Sequence, residues 1–346
     1  MQASARKPLL PAIPERSQPR STYMKNAIRI LACATLALGA VCNASAQDFP
    51  HKSIQIVVPF PPGGVADLVV RTVAQKLGQD VKQPVLVVNK PGASGIIGAE
   101  FVARAPADGY TLLLANLPIM SINELQYSSL PYSATRDFAP VILLADQPYI
   151  IATGNAVPAK TMKEFIAYAK DKPDTLTFGS ASSSTFLAGE LFKQRAGIRM
   201  AHIPYKGSAP AINDLLGGHI SLILDPVITL LPHVQAGKLR ALAVTSSERI
   251  DTAPDIPSYK EVGLVDMDIT SWQGIVAPAG TPEAVVKKLN EDFNRALQSP
   301  EVASRLKEQG VSTKGGSAQA FADFVAAENK RWATLAKQVN FLPGSL

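Results

Sequence analysis

The sequence predicts an α/β protein made of two α/β lobes joined by crossing strands. Three observations predict it. Short β-branched runs alternate with segments of helical period in one series that ends near Leu114, and a second series of the same kind starts near Thr161. No long flexible linker or internal repeat separates the two series. Strands that alternate with helices imply a parallel sheet covered on both faces.

The elements follow in order. Ile54–Val58 is a strand that runs into the turn Pro59–Gly64, and Ala66–Leu77 repeats apolar residues at helical spacing (Leu68, Val69, Val73, Leu77). Val85–Val88 is the next strand. Pro91–Gly95 leads into a helix through Arg104, Pro106–Gly109 is a turn, and Thr111–Leu114 is the third strand. In the second series Thr161 caps a helix over Met162–Lys170, which Asp171–Asp174 ends. The strand Leu176–Phe178 enters the turn Gly179–Thr185, and a helix covers Phe186–Ala196. Met200–Pro204, Ile220–Leu224 and Leu239–Thr245 are further strands. Thr281 followed by Pro282 is the signature of an N-cap with proline at the first helical position. Ala318–Val339 is a long amphipathic run, and Trp272 and Trp332 are expected in core or hinge packing.

Ahead of all this stands an export leader. Lys25 and Arg29 precede an apolar run, Ile30–Val41, and the small-residue site Ala44-Ser45-Ala46 follows. That order of charge, apolar run and A-x-A marks a signal peptide over about residues 24–46, cleaved after Ala46. The run falls short of the roughly 20 residues a bilayer span needs. Cys42 follows Val41, where lipid attachment wants a small residue. Residues 1–23 have no apolar period and four prolines, so Met24 is the expected start of translation. Of 34 basic and 28 acidic residues, six and one fall in residues 1–46, which leaves 28 and 27. The mature chain is nearly neutral, and nothing in its charge points to nucleic acid. Both cysteines, Cys33 and Cys42, leave with the leader, so the mature chain has no disulfide and no thiol chemistry.

Two strand-to-helix turns carry the candidate site: Phe60, Pro61, Pro62, Gly63, Gly64 and Asp67 in the first, Ser180, Ser182, Ser183, Ser184 and Thr185 in the second. Ligands of a parallel sheet bind at the carboxyl ends of its strands. There the helix N-termini offer free N–H groups to an anion, and the serine and threonine hydroxyls add donors. The plain alternative is an ordinary strand–helix connection with Asp67 and Thr185 as helix caps. A carboxylate at Asp67 would repel a bound anion, so it is expected to order the loop or to bind an amine or water. Asp225 ends the strand before Pro226 and is placed to face a cleft, an Asp-Pro turn being the alternative.

Gly92, Gly95 and Gly98 are spaced G-x-x-G-x-x-G, unlike a dinucleotide fingerprint, and mark a tight turn with close helix–sheet packing. No nucleophile elbow or phosphate loop occurs, and His51, His202, His219 and His233 show no metal spacing. No cofactor and no metal are expected. An exported serine hydrolase using Ser182, Ser183 or Ser184 is the alternative from a different class.

Several runs resemble the Bug family, the substrate-binding proteins of tripartite tricarboxylate transporters: Ile56–Asp67, Asn89–Glu100, Ala107–Leu114, Asp137–Val141, Pro204–Pro210, Asp214–Gly218, Gly237–Ser246 and Ser271–Pro282. The resemblance covers essentially the whole mature chain in order. It implies a type II periplasmic-binding fold with hinge closure around an interlobe cleft. Lobe 1 would be residues 47–147 plus 272–346, and lobe 2 residues 148–271. It also implies a monomeric, non-catalytic receptor in the periplasm. Such a receptor takes a small organic carboxylate between the two turns and passes it to the membrane subunits of a transporter. A sensor for a membrane histidine kinase would use the same fold. The sequence departs from the family pattern at Phe186–Glu190, where members usually have His-Leu-Ala-Gly-Glu after a longer loop. That substitution predicts an altered pocket and a ligand with a more apolar or aromatic body.

Overall fold

The computed structural model describes residues 49–339 and Phe341, and the expected leader over residues 1–46 lies outside them. The run Ile54–Val58 forms β1, with Ile54, Ile56, Val57 and Val58 all buried. It pairs in parallel with β2 (Val85–Asn89) on one side and β3 (Thr111–Asn116) on the other. The two connections lie on opposite faces. The helix α1 (Val65–Val81) buries Val69, Val70, Val73 and Leu77 against Ile54, Ile56 and Val58. The helix α2 (Ile96–Ala103) buries Ala99 and Val102 on the side of Val57. Alternation along β1 thus feeds two cores, as the period of two requires.

After β3 a single π-helical turn, Pro118–Ile122, continues into the short α3 (Asn123–Gln126). The chain then enters β4 (Phe138–Gly154), a 17-residue strand that organises the molecule. The second series follows: α4 (Met162–Asp171), β5 (Thr177–Ser180), α5 (Ser183–Ala196), β6 (Ala201–Pro204), α6 (Ser208–Leu216), β7 (Leu222–Pro226), α7 (Val227–Gln235) and β8 (Leu239–Val244). Last come β9 (Thr270–Pro278), α8 (Glu283–Leu297), α9 (Pro300–Lys307), β10 (Ser312–Thr313) and α10 (Ala318–Gln338).

The strands form one mixed sheet in the order β2-β1-β3-β9-β4-β7-β5-β6, with β8 and β10 also paired to β4. Its two ends are parallel blocks, β2-β1-β3 and β7-β5-β6. Between them β9 and β4 run antiparallel. Residues Phe138–Pro148 of β4 pair with β9, and Tyr149–Thr153 pair with β7. The same strand therefore belongs to both halves and changes partner at Pro148/Tyr149. α10 lies across this crossing, with the Phe321 and Phe324 rings 5.8 and 5.5 Å from the Trp272 ring. A Cβ on Gly274 would sit 2.2 Å from the Phe321 ring, so the approach requires glycine. Trp272 and Trp332 are both fully buried, as expected.

Thr161 caps α4 in a reciprocal capping box with Glu164. Two boundaries differ from expectation. Helix α5 starts at Ser183 rather than Phe186, because Ser182 is its N-cap and Thr185 its third residue. At α8 the cap position is Pro282 itself, in an extended conformation, so Thr281 sits one residue too early to cap. Its hydroxyl instead donates to the Pro278 carbonyl at 2.8 Å. The tight turn expected at Gly92–Gly98 is present. A Cβ on Gly98 would lie 2.6 Å from Pro59.

Candidate functional site

Four strands, two from each parallel block of the sheet, end around one cavity of about 150 Å³. Phe60 stands just past β1, Asn116 and Leu117 at the end of β3, Ala181 and Ser182 just past β5, and Asp225 and Pro226 at the end of β7. The crossing strands add Tyr149 from β4 and Ser271 and Trp272 from β9. A larger surface cavity of about 590 Å³ lies between α5 and α10, with Arg195, Asp266, Asp268 and Lys330 on its walls. It is remote from the strand ends, where open parallel sheets bind ligands. The smaller cavity is therefore the candidate site.

The first turn is held by Asp67. Its carboxylate accepts from the Gly63 N–H at 3.0 Å, from Arg71 Nε at 2.9 Å and from Asn89 Nδ2 at 2.9 Å. Asn89 also donates to the Phe60 carbonyl and accepts from Arg71 Nη2 at 2.8 Å. Burial pushes the Asp67 carboxyl up. The bonds from Arg71, Asn89 and Gly63 outweigh it and hold the group below the usual carboxylate range. Asp67 thus orders the loop, one of the roles read from the sequence. It is not the N-cap, a position held by Gly64. Pro61, Pro62, Gly63 and Gly64 are exposed and outside the wall, where Phe60 alone represents this turn.

The second turn is built on a cap. Thr185 Oγ1 accepts from the N–H groups of Ala181 (2.9 Å) and Ser182 (3.0 Å), while the Thr185 N–H donates to Ser182 Oγ. That leaves the N–H groups of Ser183 and Ser184 without an intrahelical acceptor. Ser182, Ser184 and Thr185 form part of the wall. Ser180 and Ser183 do not. The Ser183 hydroxyl is buried without a partner. The Ser180 hydroxyl meets His202 Nε2 at 2.7 Å, away from the cavity. Burial, then the Lys193 charge, pushes the His202 imidazole down to about 4, so it is neutral at pH 7.

Phe186 lies elsewhere than its neighbours in sequence suggest. Its ring packs on His202 at 4.6 Å, on Phe178 and on Phe341, and it is not in the cavity wall. The expected direct alteration of the pocket by this residue is therefore corrected. One helical turn carries Ser182 and Ser184 to the cavity and Phe186 against the large core that includes Phe178 and Phe341. The apolar part of the wall comes instead from Phe60, Leu117, Pro118, Tyr149 and Trp272.

Asp225 does face the cavity, and it is fully buried. It accepts from Ser208 Oγ at 3.0 Å and from the Thr229 hydroxyl. Burial pushes its carboxyl up to about 6 despite both bonds. The sequence reading missed Asn116, Tyr149, Ser208, Ser271 and Trp272. Asn116 closes a strand whose carboxyl end could have been inspected. Tyr149 and Trp272 come together only through register, which sets Tyr149 opposite Pro226 and Trp272 opposite Asp146. Among the described residues no group of three His, Cys, Asp or Glu side chains stands where it could hold a metal ion.

The family model described as "Tripartite tricarboxylate transporter family receptor" matches residues 69–341. The chain belongs to this receptor family. Protein BugT of Bordetella pertussis (strain Tohama I) is 34% identical over 319 residues, covering 90% of this chain and 98% of BugT. An R. palustris protein solved with adipate superposes with a TM-score of 0.79 at 35% identity, covering 86% of this chain and all of that one. MatC from Rhodopseudomonas palustris with bound malate gives 0.74 at 30% identity, covering 83% and 99%. The receptor fold, a periplasmic-binding-protein-like α/β architecture, is thus shared along nearly the whole described chain. Among the described residues of this family member no helix is long and apolar enough to cross a membrane.

Proposed function

We propose that this receptor-family chain is exported to the periplasm, captures a small organic carboxylate between two lobes, and delivers it to the membrane subunits of a tripartite tricarboxylate-type transporter. The observation that carries this reading is the convergence of β1, β3, β5 and β7 on one cavity, with the N-terminus of the 14-residue α5 at its edge. The helix dipole and the N–H groups of Ser183 and Ser184 favour an anion there. Ser182, Ser184 and Thr185 supply hydroxyls beside them. The lobes are residues 47–147 plus 272–346 and residues 148–271, and they close about β4 and β9, the two strands that cross between them. Capture without chemistry agrees with the location of the Ser180–His202 pair outside the wall. The family's solved members with adipate and malate make the carboxylate class the natural one to test. The aromatic and proline side chains of the wall suit a ligand with an apolar body.

Titration calorimetry of the mature protein against aliphatic mono- and dicarboxylates and aromatic acids tests the proposal. Saturable binding of at least one member with 1:1 stoichiometry is expected. Silence across the panel would overturn it. Mass spectrometry of whatever co-purifies with the protein would then name the true ligand.

A further inference from the structure

Three carboxylates of the described chain are buried: Asp67, Asp225 and Asp292. Asp67 holds Arg71, and Asp292 holds Lys288 and Arg295. Asp225 has no cation. It has two hydroxyls, and one of them is divided, because Thr229 Oγ1 also reaches the Pro226 carbonyl at 2.6 Å. A hydroxyl has one proton, so it serves one of these two acceptors at a time. Asp225 is also the one charged side chain in the cavity wall, where no Lys, Arg or His stands. Its carboxylate is therefore buried with less than full compensation, which is costly unless something entering the cavity completes it.

We propose that Asp225 is the specificity-determining residue of the cleft and that the ligand supplies its missing hydrogen-bond donor. The ligand class is then a carboxylate that also bears an amino or hydroxyl group. This rests on the carboxylate-receptor reading and narrows it. The carboxylate lies toward Ser182 and Ser184 at the start of α5, and the donor lies toward Asp225 at the end of β7. The two sides are close. Tyr149, Ser184 and Asp225 line the same small cavity, and the Tyr149 hydroxyl is pushed up by burial first, with the nearby Asp225 charge adding to the effect. A bare second carboxylate in the donor's place would face a buried carboxylate with no cation between them, and like charges at such range disfavour each other. An ammonium would neutralise Asp225. A hydroxyl would only bond it. The expected order is amino, then hydroxy, then unsubstituted.

The test uses matched sets of carboxylic acids with three to six carbons, each as the α-amino, α-hydroxy, unsubstituted and dicarboxylate form, titrated at pH 7.5. In the wild type the best donor-bearing member should bind at least tenfold more tightly than its unsubstituted and dicarboxylate counterparts. The α-amino and α-hydroxy arms show which donor is used. In Asp225→Asn the donor preference should collapse to within threefold. Donor-independent binding by the wild type, or a preference retained in Asp225→Asn, overturns this proposal and leaves the carboxylate reading standing. Silence of the wild type across every set overturns both. Should Asp225→Asn fail to fold, the wild-type ranking alone still decides.

Discussion

Asp67 and Asp225 sit near the carboxyl ends of strands in the two halves of one sheet, and their surroundings are opposite. Asp67 is ringed by a guanidinium, an amide and a backbone N–H, and it stays ionised more readily than a free carboxyl. Asp225 has hydroxyls alone and holds its proton up to about pH 6. The first is satisfied inside the protein, so it fixes a turn and has nothing left for a ligand. The second is left short at a cavity wall, where a ligand can reach it. Burial by itself does not mark a functional carboxylate; the completeness of its partners does.

The largest test of this contrast is Asp67→Ala, which strands Arg71, Asn89 and the Gly63 N–H together. A loss of about 2–3 kcal/mol is expected from urea unfolding at pH 7.5. Because the folded pKa of Asp67 is depressed, its contribution is full above the unfolded value. It disappears as pH falls through the lower folded one, below about pH 4. The alanine variant should therefore converge on the wild type in acid.

Asp225→Asn should move the other way. A folded pKa of about 6 lies roughly two units above the unfolded value, worth about 3 kcal/mol of stability that is present below about pH 4 and lost as pH rises through 6. Asparagine removes that loss but spoils one hydrogen bond, at about 1 kcal/mol. The ligand-free variant should thus be about 2 kcal/mol more stable than wild type at pH 7.5 and no more stable at pH 4. Thermal melts across this range read the slope directly. A slope unchanged by the substitution would show that Asp225 is not the titrating group.

Smaller effects probe the turns themselves. Thr185→Val removes the acceptor of the Ala181 and Ser182 N–H groups, and a cost of about 1–2 kcal/mol is expected from the same unfolding curves. Arg71→Lys keeps a charge beside Asp67 but cannot reach Asp67 and Asn89 together through a fork of donors. Half the Arg71 side chain is in water, so a loss of only about 0.5–1 kcal/mol is expected.

The same contrast explains what could be read from the sequence. Periodicity revealed every strand of the two parallel blocks, because their apolar runs are short and bounded by turn residues. Strands β1, β3 and β7 are also buried on both faces, whereas the edge strands β2 and β6 are not. It placed Phe60, Ser182, Ser184, Thr185 and Asp225 beside strand ends, and the cavity includes all five. It could not separate Ser184 from Ser183 or Ser180, because one helical turn decides which hydroxyl turns inward. Nor could it show that Phe186 packs on Phe178 and His202 rather than on the cavity. The partners of β4 and β9 lie far apart in sequence, and no local pattern encodes their register. For that reason Tyr149 and Trp272 escaped notice as walls, and Trp272 was legible only as core or hinge packing.

The crossing of β4 with β9 also bears on how the chain is made. Residues 113–116 of β3 and 138–148 of β4 pair with residues 270–278, and residues 143–146 of β4 also take partners from residues 312–315. The first parallel block is therefore left with an open edge while well over a hundred further residues are synthesised. Pairing across such separations is slow, and the exposed edge is open to wrong partners meanwhile. Folding of the first half must then wait for the last third of the chain, and anything that delays β9 delays the whole molecule.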